Sequence, residues 1–112
     1  FKFIGDQKIS GVVLVSGDIH LSRVLKFPTT EVVGYDLHEF ISSPLAEGVA
    51  LYNDIPSPYL KFNAPLEDTF LKLTAERTSG KSRLTAEFLT AGRKEPHHRV
   101  ILDVDKELKR ER

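Results

Sequence analysis

A run of four aliphatic residues that stops at a short polar motif is the feature that most constrains this chain. Residues 12–15 read Val-Val-Leu-Val, and the next five residues are Ser, Gly17, Asp18, Ile and His20. An unbroken aliphatic run of this length predicts a strand that is buried on both faces. Gly17 allows the backbone to turn where the strand stops. Asp18 and His20 then follow the carboxyl end of the strand, which is where ligands bind in open α/β sheets.

Asp18 and His20 are therefore candidate metal ligands. A carboxylate and an imidazole together suit a hard or borderline divalent metal. From the residues alone a second interpretation stays open, in which Asp18 caps a turn and His20 is a half-buried histidine with an ordinary hydrogen bond. Short motifs of this kind have many false positives.

Composition excludes several classes of function. Lys and Arg together number 16, as do Asp and Glu, so the formal net charge is zero, and no nucleic acid is predicted as a partner. Cysteine is absent, which rules out disulfides and thiolate metal sites within this sequence. We predict no membrane span, because no apolar run reaches the roughly 18 residues required. No signal peptide is visible, and the compartment is left open.

The sequence has the character of a fragment. It contains no Met, even at position 1, and its buried-strand signal arrives before enough chain exists to cover both faces. Residues 1–8 read as the last turns of a helix. We therefore expect residues 1–112 to be a single segment of a longer domain. Such a segment exposes an apolar face, and a homo-oligomer through that face is a further expectation.

Hydrophobic patterning predicts mostly extended structure after the motif. Extended segments are predicted at residues 21–27 and 32–41, and a long loop at residues 52–66, where prolines and asparagines recur every few positions. Residues 70–104 alternate between apolar and polar positions, which predicts an antiparallel meander with one solvated face. Residues 105–110 suit a short terminal helix or a frayed tail.

Two stretches of the sequence resemble a known enzyme family. Residues 9–20 resemble the closing motif of the alkaline phosphatase D (PhoD-like) branch of the calcineurin-like metallophosphoesterases, in which a strand is followed by Ser-Gly-Asp-x-His. Residues 35–45 resemble the family's later stretch of an aromatic residue, leucine, an acidic residue and a serine pair, here Ser42 and Ser43.

The resemblance extends more loosely to the rest of the chain. The hairpin at residues 70–89 and the segment at residues 100–108 resemble the family's C-terminal strands and final short helix, although only the first fifth of the chain carries a specific motif. The resemblance implies an α/β fold. This segment would be the C-terminal, β-rich part of a metallophosphoesterase-like sandwich, with a central buried strand, then antiparallel strands and little helix.

The family resemblance also implies a chemistry. Two metal ions in these enzymes promote attack of water on phosphate mono- or diesters. It implies that Asp18 and His20 are catalytic metal ligands. Asp18 stands where most of the superfamily has histidine, which adds iron, calcium and manganese to zinc as candidate metals. The other expected ligand motifs are absent from the sequence. They are expected in the remainder of a parent domain, so the segment alone should be inactive.

Three further positions carry alternatives. Arg23 either contacts a phosphate or is a solvated arginine, and the solvated arginine is favoured. His38 either supports the metal ligands from behind or simply fills a strand, which is favoured. His97 and His98 are predicted to lie in a surface loop. The rival to the enzyme is a non-catalytic, β-rich interaction module in which the polar motif is only a turn.

Overall fold

The structure, a computed structural model, describes residues 1–17, 19, 21–43 and 55–109. Within these ranges the chain forms two β-sheets and a small amount of helix. No described helix is long and apolar enough to cross a membrane. The elements in chain order are α1 (Lys2–Asp6), β1 (Leu14–Ser16), β2 (Ser22–Phe27), α2 (Thr30–Val33), β3 (Leu37–Ile41), β4 (Leu60–Ala64), β5 (Thr69–Thr78), β6 (Lys81–Thr90), β7 (His98–Asp103) and α3 (Val104–Glu107).

The first sheet contains four strands in the order β1-β3-β2-β4. β1 runs parallel to β3, with Ser16 opposite Ile41, whereas β2 is antiparallel to both β3 and β4. β1 and β3 consequently terminate at the same end of the sheet, and β2 begins there. We call this the motif end, and it comprises the described residues 16–17, 21–23 and 41–43.

The prediction of a central buried strand at residues 12–15 is wrong. β1 is a three-residue strand, Leu14–Ser16, and among the described residues it has a neighbour on one side only. Val15 is 55% exposed. The aliphatic run has a different use, because Val12 and Val13 pack against the core before the strand begins. An aliphatic run is equally typical of a buried approach to a strand and of a buried strand, and composition does not separate the two.

The second sheet is the predicted antiparallel meander, in the order β5-β6-β7. β5 and β6, ten residues each, form a hairpin with a continuous register. Its turn is built from Ser79 and Gly80, which have φ values of 53° and 76°. Positive φ at both central residues gives a turn whose twist matches that of the flanking strands. The meander at residues 70–104 is confirmed.

One hydrophobic core lies between the two sheets. It takes apolar side chains from β2 and β3 on one side, from β6 and β7 on the other, and from the segment after α3. Phe40 and Phe88 are its largest fully buried members. The chain is therefore a two-layer, β-rich structure with little helix, as predicted at this coarse level.

Two local predictions need correction. The predicted loop at residues 52–66 contains β4, which pairs with β2, and its Phe62 ring lies 5.4 Å from that of Phe88. The flanking prolines favoured the prediction of a loop. The strand is also short and only half-buried, so its apolar pattern is weak. The extended segment predicted at residues 32–41 begins instead with α2, which ends at Gly34 with φ of 99°, before β3 starts. A left-handed glycine is a common way to end a helix.

Candidate functional site

Residues 17–21, which we call the motif segment, connect β1 to β2 at the motif end of the first sheet. Asp18 and His20 themselves lie outside the described residues. Their neighbours Gly17, Ile19 and Leu21 are described. Leu21 is 1% exposed, so the chain is buried at the residue before β2.

Gly17 lies against the serine pair that follows β3. The Ser42 N–H donates a hydrogen bond of 3.1 Å to the Ser16 carbonyl. A Cβ on Gly17 would come within 3.2 Å of the Ser42 carbonyl oxygen, which is tighter than ordinary packing. Glycine therefore suits the close backbone approach here and does not serve a left-handed turn, since Gly17 is not among the residues with positive φ.

The motif end is unusually rich in buried polar groups. Ser22 is fully buried and Ser43 is 6% exposed, and the Ser22 hydroxyl donates to the Ser43 carbonyl at 3.4 Å. The Ser42 Oγ is buried and has no hydrogen-bond partner among the described residues. Buried polar atoms without partners are rare and call for a specific explanation, such as a water, an ion or a ligand.

Arg23 is the charged residue of this end, and the prediction that it is solvated is wrong. Its side chain is on β2 and the residue is 7% exposed. The Arg23 Nε donates to Asn63 Oδ1 at 3.0 Å, and Nη2 contacts the Ile55 carbonyl. Because β4 lies directly beside β2, Asn63 is opposite Arg23 and orients its guanidinium. A buried arginine is uncommon unless it has a defined partner.

The approach to β1 is fixed by contacts from other parts of the chain. The Tyr35 hydroxyl donates to the Ile9 carbonyl at 2.8 Å and accepts from the Val12 N–H at 3.2 Å. The Gly11 N–H donates to the Leu108 carbonyl at 2.6 Å. These contacts hold the approach to β1 against the segment before β3 and the segment after α3.

His38 lies at the opposite end of β3. It is three residues before Ile41, which is about 10 Å along an extended strand, so it does not support the motif segment. It is 6% exposed, and its ring stacks on Phe40 at 6.3 Å. Burial and the charge of Lys26 lower the pKa of His38, and Glu107 and Asp36 oppose them more weakly.

His97 and His98 lie away from the motif end. The side chain of His97 is hydrogen-bonded to Thr90 and Arg93. His98 is the first residue of β7, so the prediction that it belongs to a surface loop is wrong, and its ring stacks on Phe62 at 4.2 Å. Burial lowers the pKa of both histidines, with Arg93 adding to the effect at His97. The two rings have separate partners and do not form one site.

Comparisons with known proteins give no independent identification. No family model, no curated protein and no solved structure matches this chain. Among the described residues, which do not include Asp18 and His20, no group of three or more histidines and acidic residues could hold a metal. The sequence-based reasoning missed Ser22, Ser43 and Asn63 as parts of the motif end. Their signal was weak, because serine and asparagine are ordinary surface residues unless the register of their strands is known.

Proposed function

We propose that this chain is the C-terminal part of a metal-dependent enzyme that hydrolyses phosphate mono- or diesters. Asp18 and His20 would be metal ligands in this enzyme, and a carboxylate with an imidazole is a donor set that iron, manganese, calcium or zinc accepts. A bound metal pair would supply charge neutralisation and activation of water. Two ligands do not complete such a site, so the remaining ligands would come from outside this sequence.

One observation carries the proposal. The two stretches that resemble the PhoD-like family are well separated in sequence, yet the Ser42 N–H donates a hydrogen bond to the Ser16 carbonyl at a single end of the sheet. That end is the carboxyl end of two parallel strands, β1 and β3. Ligands of α/β sheets gather at such ends.

Arg23 supports the same proposal. Among the protein's cationic side chains, a guanidinium is well suited to bind phosphate oxygens in pairs. Asn63 holds the Arg23 guanidinium at the motif end, on the strand that begins two residues after His20. The role we give Arg23 is to bind the phosphate group, and the role we give Asn63 is to orient that arginine.

The experiment is a comparison of histidine variants in the protein that carries this chain, together with any sequence that precedes it. His20→Ala is expected to lose metal and most of the rate of nitrophenyl phosphate hydrolysis. His97→Ala is the matched control and is expected to keep both. Metal content by mass spectrometry and hydrolysis rate are measured on the same preparations, with circular dichroism as the check on folding.

Retention of full metal and full rate in His20→Ala would overturn the proposal. The motif would then be structural, and the interaction-module alternative would account for the chain better. The 112-residue chain alone is expected to bind metal weakly and to show no turnover, because two protein ligands are too few for a two-metal site.

A further inference from the structure

The described part of the chain contains a small basic cavity at the end of β3 that is distant from the motif. Its volume is about 180 Å³, enough for several water molecules at about 30 Å³ each. It is formed where β2, the loop after α2 and the segment around α3 meet. Its lining includes three lysines, Lys26, Lys106 and Lys109, and the imidazole of His38.

We propose that this cavity is a binding site for a small oxyanion of the phosphate or sulfate class, held by Lys26, Lys106 and Lys109. The proposal does not depend on the phosphoesterase function. Three lysines and two acidic residues line the cavity, so its net charge is positive and favours an anion. Phosphate and sulfate are compact and offer several acceptor oxygens to such donors.

The acidic residues of the cavity do not neutralise all of this charge. Asp36 accepts a hydrogen bond of 2.8 Å from the Thr30 hydroxyl, and its carboxylate lies 4.0 Å from the Lys26 ammonium. Glu107 accepts from the Asp103 N–H at 2.7 Å. Among the described residues no acidic side chain pairs with Lys106 or Lys109, and these are the two lysines that we assign to the ligand.

His38 is the second observation that points to a ligand. It is more than nine-tenths buried and lines the cavity, and its Nδ1 makes no hydrogen bond of good geometry with the described residues, although the Asp36 backbone lies near enough to oppose in part the lowering of the ring's pKa by burial. A buried imidazole with an unsatisfied nitrogen is costly unless something completes it. An oxyanion in the cavity would stabilise the protonated ring, as the neighbouring carboxylates of Asp36 and Glu107 already do in part.

A divalent cation is a poorer occupant of the same space. Asp36 and Glu107 could offer oxygens, but both already accept hydrogen bonds, and three lysines oppose a second positive charge. The charge balance of the lining is therefore the observation that decides between an anion and a cation.

The test is a titration of the 112-residue chain with sodium sulfate at constant ionic strength, followed by NMR and thermal unfolding. Sulfate is used because its charge is constant across the relevant pH range. We expect the amide signals of Gly34 and Lys106 to shift in a saturable manner, together with a rise in Tm. The double variant Lys106→Gln/Lys109→Gln should raise the apparent Kd for sulfate by about tenfold or more. The control Lys72→Gln/Lys94→Gln removes the same charge elsewhere and should bind as the unmodified chain does.

A second arm examines His38 and the source of the anion. Sulfate binding should strengthen as the pH falls from about 7.5 to about 5.5, and His38→Gln should bind weakly with a flat pH profile. Inorganic phosphate and glycerol phosphate are compared with sulfate at one pH. If glycerol phosphate binds as well as sulfate, the site accepts an esterified phosphate. If only sulfate and inorganic phosphate bind, the ligand is a free oxyanion. Either result supports the site. Absence of saturable binding, or equal weakening in the control variant, would overturn it.

Discussion

The two sheets of this chain bury different kinds of residue. At the motif end of the first sheet three polar residues, Ser22, Ser43 and Arg23, are buried beside Leu21 and Ile41. In the second sheet the buried residues of β6 and β7 are mainly apolar, and the outer face carries paired charges such as Arg99 with Glu87 at 2.9 Å. Burial of polar groups costs stability unless their partners are well placed. The comparison shows that the first sheet buries polar groups at the proposed site, whereas the second sheet buries mainly apolar side chains.

The largest expected effect is the loss of a core ring from the second sheet. Phe88 is fully buried and packs on Phe62 at 5.4 Å. Phe88→Ala should lower the free energy of unfolding by about 3–5 kcal/mol. Urea unfolding of the 112-residue chain measures it. Phe70→Ala is the control, because Phe70 is 41% exposed. An equal loss in both variants would contradict the assignment of the stabilising core.

The next effect tests whether the buried charge of the first sheet matters for stability, function or both. Arg23→Met keeps much of the aliphatic stem but leaves Asn63 Oδ1 and the Ile55 carbonyl without this donor. We expect a loss of about 1–3 kcal/mol in unfolding free energy, and a much weaker affinity for phosphate ester in the active protein. A variant that is less stable but retains full ester affinity would make Arg23 a purely structural residue.

A smaller effect is expected from pH, and it separates the buried His38 from the half-buried His97. Burial lowers the pKa of His38 below its ordinary 6.5, so the unfolded chain binds a proton at a pH where the folded chain does not. Stability is therefore complete above about pH 6.5 and decreases as the pH falls through that value towards the lowered pKa. His38→Gln should remove most of this decrease, and His97→Gln should leave most of it. Urea unfolding between about pH 5 and pH 8 measures the slope, and an unchanged slope in His38→Gln would contradict the prediction.

The smallest effect is expected on the outer face of the second sheet. Arg99→Met removes the ion pair with Glu87, but the Arg99 side chain is 50% exposed. Solvent and salt screen such pairs, and we expect a change below about 1 kcal/mol. Thermal unfolding of Arg99→Met and Arg23→Met under the same conditions compares the two losses of stability directly. A loss as large as that of Arg23→Met would mean that burial does not distinguish the two sheets.

Sequence patterning predicted the second sheet better than the first. The alternation along β5, β6 and β7 reports which face is buried, and the turn chemistry at Ser79 and Gly80 fixes the register. In the first sheet the strands are shorter, and their order depends on contacts between distant segments. The edge position of β1 and the burial of Arg23 follow from that strand order. A local sequence pattern predicts neither of them. The same reason explains why Asn63 was not predicted as a partner of Arg23.

The measurement that tests the central claim most directly is paramagnetic broadening of amide signals by Mn²⁺, which detects even weak metal binding in the 112-residue chain. We predict that broadening at low Mn²⁺ concentration centres on Gly17, Ile19 and Ser43, and that His20→Ala abolishes it. The hairpin turn at Gly80 should keep its signal throughout. Broadening centred on His97, or a pattern that is the same with and without His20, would contradict the account that the motif end is the metal-binding part of this protein.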